Sequence, residues 1–231
     1  MDAHFSIKSM DQKNLHLNVL PAATQKAFLA ATKFPFLAKS GWYLAGGTAL
    51  ALQVGHRESV DLDFFTTQKK PQINKIENHL ANTGQWKKTL QDAGTLYGAF
   101  NKAKMSFISY PFFVPSREQL HCGSIRILLP KDIAVMKIIA ISQRGRKRDF
   151  VDLYWYCTHQ SDSLVNIIYR VLDQYPKEEH NLPHFLKSLT YFEDAEEDPM
   201  PKLHFDTSWK KVKEYFRREI PKITKQFLNI P

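Results

Sequence analysis

The sequence is poor in several features that mark whole classes of protein. Its 231 residues include only two cysteines, Cys122 and Cys157, which lie far apart and lack the spacing of a metal or redox pair. The chain is therefore expected to carry reduced thiols and no disulfide framework. No eighteen apolar residues run together, and no basic segment followed by an apolar one opens the chain. We expect no membrane span, no secretory signal and a soluble cytoplasmic protein.

Glycine is scarce in the second half of the chain, where Gly145 is the only one in the last hundred residues. Helical spacing dominates from Lys131 onward, so we predict a first domain over 1–130 and a mostly helical second domain over 131–231. The predicted helices of the second domain are 131–143, 147–158, 162–174, 182–192 and 208–228. Pro221 is expected to interrupt the last helix, and the acidic residues 193–198 are expected to form an exposed loop.

Apolar side chains and positive charge are both abundant. Hydrophobic residues make up 43% of the chain and aromatic residues 13%, which is typical of a folded globular protein. The formal net charge is +9. Because a basic surface attracts phosphates, this charge favours a polyanionic partner such as RNA.

A glycine turn stands at the centre of the first domain. The apolar run Trp42-Tyr43-Leu44-Ala45 leads into Gly46-Gly47-Thr48, and an alanine- and leucine-rich segment follows to Val54. This order predicts a strand, a turn and a helix. Glycine lets the backbone approach a phosphate, and a helix N-terminus offers unpaired N–H groups. The turn is therefore a candidate phosphate site.

Two carboxylates follow the turn at positions i and i+2, Asp61 and Asp63. The period of a strand would put both on one face, with Val60, Leu62 and Phe64 on the other. Because neighbouring carboxylates repel each other, they usually share a cation, here Mg²⁺ or Mn²⁺. The alternative is an exposed strand with two solvated aspartates.

These residues resemble a known family. The Gly46-Gly47-Thr48 turn and Asp61-x-Asp63 resemble the signature of nucleotidyltransferases, and the longer string through His56-Arg57 and Phe65 is similar to the AbiEii/AbiGii toxin family. The resemblance implies an α/β (α+β) fold: a polymerase-β-like nucleotidyltransferase domain with a mixed sheet and flanking helices. It also implies a nucleoside triphosphate (NTP) and a divalent metal. Within the motif, His56 and Arg57 are candidate phosphate contacts, although His56 is also consistent with an ordinary surface loop.

The rest of the first domain alternates helix and strand, which favours a mixed sheet flanked by helices. We predict a helix from Pro21 that Pro35 ends or kinks, and a helix from Pro71 with Ile73, Ile76 and Leu80 facing inward. The predicted strands are 86–90, 95–101, 104–110 and 119–129, with a hairpin turn at Asp92-Ala93-Gly94.

Ser106 departs from the fuller pattern of the superfamily. In polymerase-β-like sites a third carboxylate often stands on the strand beside the aspartate pair. In the strand 104–110 that position holds Ser106, since Met105 and Phe107 are expected to be buried. The departure leaves open how a second metal is held and which group accepts the proton of the attacking hydroxyl.

A basic helix pair follows the first domain. Lys137 shares the apolar face of the helix 131–143, so it either extends to the surface or reaches a phosphate. Asp149 and Asp152 lie at i and i+3, where they could pair with the basic residues 146–148 or cap the helix. By resemblance, Lys137 and Asp149 complete the active site, with Asp152 following in the motif.

The resemblance implies the toxin of a toxin–antitoxin or phage abortive-infection pair, with a possible cognate antitoxin. It would move a nucleoside monophosphate from an NTP to an acceptor, for which RNA, and tRNA 3′ ends in particular, is the best single hypothesis. Trp209 and Tyr215 could stack on RNA bases or be the buried side of a helix. Two alternatives stay open: a binding module without catalysis, and transfer to a protein or small molecule.

Overall fold

A computed structural model describes residues 7–9, 14–38, 40–176 and 181–228. The chain divides into two compact units, Met1–Leu129 and Pro130–Pro231. Within the described ranges, no helix is both long enough and apolar enough to cross a membrane.

Unit 1 is built on a mixed sheet. Its strands are β1 (Ile7–Ser9), β2 (Trp42–Ala45), β3 (Leu62–Thr66), β4 (Trp86–Asp92), β5 (Thr95–Phe100), β6 (Ala103–Ser109), β7 (Gln119–Cys122) and β8 (Ile125–Ile127). Among the described residues, these eight strands form one sheet in the order β1-β7-β8-β2-β3-β6-β5-β4. The pairs β1–β7, β8–β2 and β3–β6 are parallel, and the other pairs are antiparallel. The predicted mixed sheet is confirmed.

Helices connect the strands of unit 1. They are α1 (Ala22–Ala31), α2 (Pro35–Ala38), α3 (Gly46–Val54) and α4 (Ile73–Ala81), with a 3₁₀ helix at Leu17–Val19. As predicted, the helix after Pro21 ends before Pro35, which begins α2, and α4 buries Ile73, Ile76 and Leu80. Apolar residues at this spacing form one face of a helix, which explains the agreement.

The predicted strand 119–129 is wrong, because the chain turns back within it. Strands β7 and β8 form an antiparallel hairpin with a turn at Gly123, which has φ +56°. A Cβ at this position would lie 2.4 Å from the carbonyl oxygen of Thr32. That oxygen accepts a hydrogen bond from the Ser124 N–H at 2.7 Å. Only glycine permits both this backbone conformation and this close approach.

The core of unit 1 lies around the central strands β2 and β3. All four residues of β2 are buried. Phe64 of β3 and Phe107 of β6 stack with their ring centroids 5.0 Å apart, and Trp42 meets Phe107 edge to face. A strand that is apolar throughout belongs in the middle of a covered sheet, and this packing fixes the ends of β2 and β3.

Unit 2 is helical in the residues that the structure describes. Its helices are α5 (Pro130–Arg144), α6 (Lys147–His159), α7 (Leu164–Gln174), α8 (Leu182–Ser188), α9 (Glu193–Glu196) and α10 (Trp209–Leu228). Phe150 of α6 is fully buried and contacts the rings of Phe192, Trp209 and Phe216. This aromatic cluster joins α6 to α10.

One prediction for unit 2 is wrong and a second is correct only in part. Helix α10 continues through Pro221. Pro221 and Arg217 are both exposed, so water can hydrate the carbonyl group that the missing N–H leaves unpaired. The acidic segment 193–198 is largely exposed as predicted, but it contains the short helix α9 and is not a loop throughout. Glu196 accepts hydrogen bonds from the Trp209 indole at 2.9 Å and from Lys213 at 2.7 Å.

The aromatic side chains of α10 are structural in this conformation. Trp209 packs against Phe150, and Tyr215 against Tyr154 and Phe216. Of the two roles considered for Trp209 and Tyr215, the structure therefore supports the buried side of a helix over stacking on bases.

Candidate active site

The glycine turn joins β2 to α3 directly. The strand ends at Ala45 and the helix begins at Gly46, which has φ +72°. Gly55, with φ +69°, ends the same helix. Because Gly46 and Gly47 carry no side chains, the backbone N–H groups of the first turn of α3 can approach an anion closely.

Asp63 lies opposite this turn. In the antiparallel pair of β2 and β3 it is the partner of Ala45, and in the parallel pair of β3 and β6 it is the partner of Ser106. Its Oδ1 accepts a hydrogen bond from Ser106 Oγ at 2.6 Å, and a Cβ built on Gly46 would lie 3.7 Å from its Oδ2. The Asp63 carboxylate therefore lies between the glycine turn and Ser106, which confirms the predicted place of Ser106 beside Asp63.

Asp61 immediately precedes β3. Its Oδ1 is buried and accepts no hydrogen bond from any residue that the structure describes. A buried carboxylate oxygen without a donor is costly unless a cation binds it. The observation fits the expectation of a metal ligand at Asp61.

The prediction that Val60 shares a strand face with Leu62 and Phe64 is wrong. Leu62 and Phe64 are buried as expected, but the side chain of Val60 is 50% exposed. The regular strand begins only at Leu62, so alternation of side chains does not extend back to Val60.

Thr48 supports the loop that carries Asp61. Its Oγ1 donates a hydrogen bond to the Asp61 carbonyl oxygen and shares a second hydrogen bond, at 2.7 Å, with Ser59 Oγ. The hydroxyl is buried, and its single hydrogen is directed at the protein backbone. The predicted phosphate site at this turn therefore relies on backbone N–H groups, and a contact of this hydroxyl with a phosphate would require its hydrogen bond to Asp61 to break. Its place in the fold is to tie the first turn of α3 to the segment before β3.

His56 and Arg57 lie in the interior, with exposed fractions of 2% and 4%. Arg57 Nη1 donates to the Glu58 carbonyl oxygen at 2.8 Å. The alternative of an ordinary surface loop for His56 is wrong. The buried side chains help to fix the loop between α3 and Asp61, and a direct phosphate contact by either residue stays a prediction.

The described residues contain no group of three or more histidine, cysteine, aspartate or glutamate side chains arranged to hold a metal ion. Two carboxylates are nevertheless sufficient for Mg²⁺ bound with a nucleotide, because this ion usually takes one or two carboxylates and completes its shell with phosphate oxygens and water. Asp61, Asp63 and the first turn of α3 have the chemistry that such a shell requires.

A second cluster of charged residues lies wholly within unit 2. Lys137 Nζ is 2.6 Å from Asp149 Oδ1 and 2.7 Å from Asp152 Oδ2. The three side chains are 7%, 1% and 0% exposed. Lys137 therefore does not extend to the surface. Both aspartates pair with this lysine, which was not among the partners considered for them. The lysine on α5 and the carboxylates on α6 instead form a buried ionic triad.

The triad has one oxygen available for a further ligand. Asp149 Oδ2 accepts no hydrogen bond from the described residues, and Arg144 Nη2 lies 3.7 Å from it. Arg144 is 56% exposed, so its guanidinium is largely hydrated. The charges of Lys137, Asp149 and Asp152 sum to −1.

Part of the basic segment between α5 and α6 is neutralised within unit 2. Arg146 Nη1 pairs with Asp198 Oδ1 at 2.8 Å, and the Lys147 N–H donates to Asp198 Oδ2 at 3.0 Å. Lys147 Nζ donates to the carbonyl oxygens of Glu196 and Asp198. Arg144 and Arg148 remain exposed, and they are the residues of this segment best placed to meet a polyanion.

Sequence reasoning missed two contributors to these clusters. Ser59 shares a hydrogen bond with Thr48, and no spacing rule signals that contact. The sequence indicated the pairing of Asp152 with Lys137 only in part. Asp149 and Asp152 lie on one face of α6, and a lysine lies on the apolar face of the preceding helix.

Comparison with known proteins identifies the family. The sequence profile described as "Nucleotidyl transferase AbiEii toxin, Type IV TA system" matches residues 28–93 and 108–228. The chain is also 35% identical to the protein aq_aa25 of Aquifex aeolicus (strain VF5) over 181 residues, which are 78% of this chain and 86% of that protein.

Two solved structures share the fold. MenT4, the nucleotidyltransferase toxin Rv2826c of Mycobacterium tuberculosis H37Rv, superposes with a TM-score of 0.54 at 15% identity, covering 88% of this chain and 86% of that one. JHP933 of Helicobacter pylori superposes with a TM-score of 0.50 at 16% identity, covering 91% and 97%. The matched profile covers both the Gly-Gly-Thr turn with its aspartate pair and the segment of the ionic triad. This chain therefore belongs to the AbiEii nucleotidyltransferase toxin family of type IV toxin–antitoxin systems.

Proposed function

We propose that the protein is a metal-dependent nucleotidyltransferase that moves a nucleoside monophosphate from an NTP to RNA, with tRNA 3′ ends as the acceptor. The observation that carries the proposal is the buried Asp61 Oδ1 without a hydrogen-bond donor, close in sequence to Asp63, which itself lies beside Gly46 and Ser106. Family membership supports the nucleotidyltransferase class.

Asp61 and Asp63 hold the cation in this proposal. Mg²⁺ or Mn²⁺ held by these two carboxylates would supply Lewis acidity, neutralising charge on the triphosphate and making the α-phosphorus more electrophilic. The hydrogen bond from Ser106 Oγ fixes the rotation of the Asp63 carboxylate, so one of its oxygens is oriented before the ion binds. Ser106 thus provides orientation where a third carboxylate would provide charge.

The first turn of α3 binds the phosphates. The backbone N–H groups of Gly47 and Thr48 donate to the β- and γ-phosphate oxygens, assisted by the positive end of the helix dipole. Gly46 allows the approach because no side chain stands between the backbone and Asp63. The hydroxyl of Thr48 keeps Asp61 in place, and the buried Arg57 adds positive charge to the loop between α3 and Asp61.

Lys137 and Asp149 act on the reacting groups. Lys137 can exchange one of its two carboxylate partners for a phosphate oxygen, since Asp152 keeps the ammonium in place when Asp149 leaves. Asp149 Oδ2 is the proposed proton acceptor. General-base assistance of this kind contributes about a hundredfold or more to a rate.

The proposed reaction forms one bond to phosphorus and breaks another. The acceptor hydroxyl oxygen forms a bond to the α-phosphorus, and the bond from that phosphorus to the bridging oxygen of the β-phosphate breaks. Pyrophosphate leaves with the bonding electron pair, and the hydroxyl proton moves to Asp149. The product is the acceptor extended by one nucleotide.

The basic composition supports RNA as the acceptor, because a net charge of +9 attracts polyanions over several ångströms. The exposed Arg144 and Arg148 are the proposed first contacts of the RNA. In the proposed setting the protein acts in the cytoplasm, where NTPs, Mg²⁺ and RNA occur together, and a cognate antitoxin restrains it.

The test is incubation of the protein with Mg²⁺, total bacterial RNA and each NTP in turn, labelled on the α-phosphate. Gel electrophoresis should show label in a tRNA-sized band with the native protein and none with Asp63→Ala. Asp206→Ala is the matched control, because Asp206 is 96% exposed and its ion pair with Lys211, at 3.4 Å, lies at the surface. It should retain full activity.

Three other outcomes would contradict parts of the proposal. Pyrophosphate release without labelled RNA would replace the RNA acceptor with a protein or a small molecule. If neither pyrophosphate nor labelled RNA formed, the protein would be a nucleotide- or RNA-binding module without catalysis. Activity that survives Asp63→Ala in a folded protein would overturn the assignment of the metal ligands.

A further inference from the structure

Unit 1 has a second concave site, at the other end of the strands that carry the candidate active site. The cleft has a volume of about 310 Å³, and Trp42, the first residue of β2, forms part of its wall. Trp42 pairs with Thr66, whereas Asp63 pairs with Ala45 at the far end of β2. Three residue steps of a strand separate the two ends, which is roughly 10 Å. The cleft is therefore distinct from the aspartate pair.

The ionisable side chains that line the cleft are all basic: Lys70, Lys75 and His79. Among the residues that the structure describes, no aspartate or glutamate belongs to the lining. Lys70 and Lys75 are exposed and make no ion pair with any residue in the described ranges. Uncompensated positive charge around a concave surface attracts an anion. The ligand class that suits this charge is one that carries phosphate.

Two primary amides add hydrogen-bonding groups to the same wall. Gln68 and Gln72 both line the cleft. A Cβ on Gly41 would lie 3.0 Å from Gln68 Nε2, so the backbone of Gly41 holds the Gln68 side chain closely against the wall. A glutamine amide both donates and accepts, which suits the edge of a nucleobase.

A stack of aromatic rings borders the cleft. Phe34 and Phe36 stack at 5.4 Å, and Phe36 and His79 stack at 5.1 Å with only 6° between their planes. His79 is the exposed end of this stack. Rings in such a position accept a planar base by stacking, without requiring a particular sequence.

We propose that this cleft binds one nucleotide unit, with its phosphate at Lys70 and Lys75 and its base against the rings and the glutamine amides. The volume, near the lower end of the range for ligand pockets of about 300–1,000 Å³, fits one unit and not several. The unit is either a free nucleotide or a single residue of an RNA strand. The proposal is independent of nucleotidyl transfer, because the cleft contains none of the residues assigned to that reaction.

The test measures binding in EDTA, which removes the divalent metal from the aspartate pair. The probes are a fluorescein-labelled RNA octanucleotide and, separately, the four nucleoside monophosphates as competitors. The double variant Lys70→Glu/Lys75→Glu should weaken binding of the octanucleotide by about tenfold or more and reduce the slope of its salt dependence by roughly 0.7, the value for the one phosphate that the two lysines no longer neutralise. His79→Ala should weaken binding about fivefold because the base then has no imidazole ring to stack on.

The matched control is Lys87→Glu/Lys104→Glu, which makes the same change of net charge at two exposed lysines of unit 1 outside the cleft. It should change the affinity by less than about threefold. If a nucleoside monophosphate displaces the octanucleotide, a free nucleotide is sufficient for binding to the cleft. If no monophosphate displaces it, the ligand is an RNA strand. Equal reductions of affinity in both double variants, or no binding by the native protein, would overturn the proposal whatever the transfer assay shows.

Discussion

Lys137 should be among the most costly side chains of unit 2 to remove. Its ammonium lies 2.6 and 2.7 Å from two carboxylates, and all three groups are almost completely buried. Lys137→Met removes the only positive charge of the triad and leaves two negative charges together in the interior. Arg144 lies 3.7 Å from Asp149 but is 56% exposed, so it compensates these charges poorly.

The expected loss of unfolding free energy follows from this geometry. Removing one partner of a buried ion pair costs about 3–5 kcal/mol, because the remaining charge has no compensation. Asp152→Asn should cost much less, on the order of 1 kcal/mol, since Lys137 and Asp149 then form a neutral pair and the amide oxygen can still accept a hydrogen bond. The order of the two variants is therefore a sharper prediction than either value alone.

Urea unfolding, monitored by circular dichroism, measures the change in unfolding free energy that each of the two variants causes. Lys210→Met provides the matched control, because Lys210 is 85% exposed and its partner Glu214 lies 3.9 Å away. An exposed pair of this kind contributes less than about 1 kcal/mol. If Lys137→Met lowered the free energy of unfolding by no more than Lys210→Met, the ammonium could not be held between two desolvated carboxylates, and this reasoning would be refuted.

Three further predictions test other parts of the structure. Gly46→Ala and Gly84→Ala should each lower the unfolding free energy by about 1–2 kcal/mol, because both residues have φ near +70°, but only Gly46→Ala should also reduce nucleotidyl transfer. Equal activity of the two variants would contradict the role given to the turn. Ser106→Ala should raise the Mg²⁺ concentration for half-maximal activity by about tenfold through loss of one charge-assisted hydrogen bond, and an unchanged metal titration would exclude an orienting role. Burial raises the pKa of Cys157 to about 12 and also raises the pKa of Tyr215. The folded state thus retains protons that the unfolded chain releases, so the urea midpoint should be constant between about pH 7 and 8 and fall as the pH rises above about 9. A flat midpoint up to about pH 11 would contradict the burial of these groups, and Tyr215→Phe should make the fall shallower.

Much of unit 1 could be predicted because its signals are local. The buried run of β2, the glycines before α3 and the spacing of Ile73, Ile76 and Leu80 each determine an element within a few residues. The hairpin of β4 and β5 follows in the same way from its turn at Ala93-Gly94. In each case the chain's own sequence supplies the physical reason for the element.

The features that escaped prediction depend on partners that are remote in sequence. The break between β7 and β8 is set by the approach of Gly123 to Thr32. The direction of the Thr48 hydroxyl is set by the carbonyl of Asp61, and the pairing of Asp152 is set by the packing of α6 against α5. Spacing shows which side chains share a face, but only the packed structure decides which group they meet.

Asp61 and Asp63 are proposed to support the transfer of a nucleoside monophosphate, the part of the NTP that contains the α-phosphate. Labelling the NTP at specific phosphates tests this claim most directly. The native protein and Asp63→Asn would each be incubated with Mg²⁺, RNA and the accepted NTP, labelled in parallel reactions on the α- or the γ-phosphate. The account predicts that the α label enters the acceptor, that the γ label appears only in pyrophosphate, and that Asp63→Asn folds but yields neither product. Entry of the γ label into the acceptor, or transfer of the α label that persists in Asp63→Asn, would contradict it.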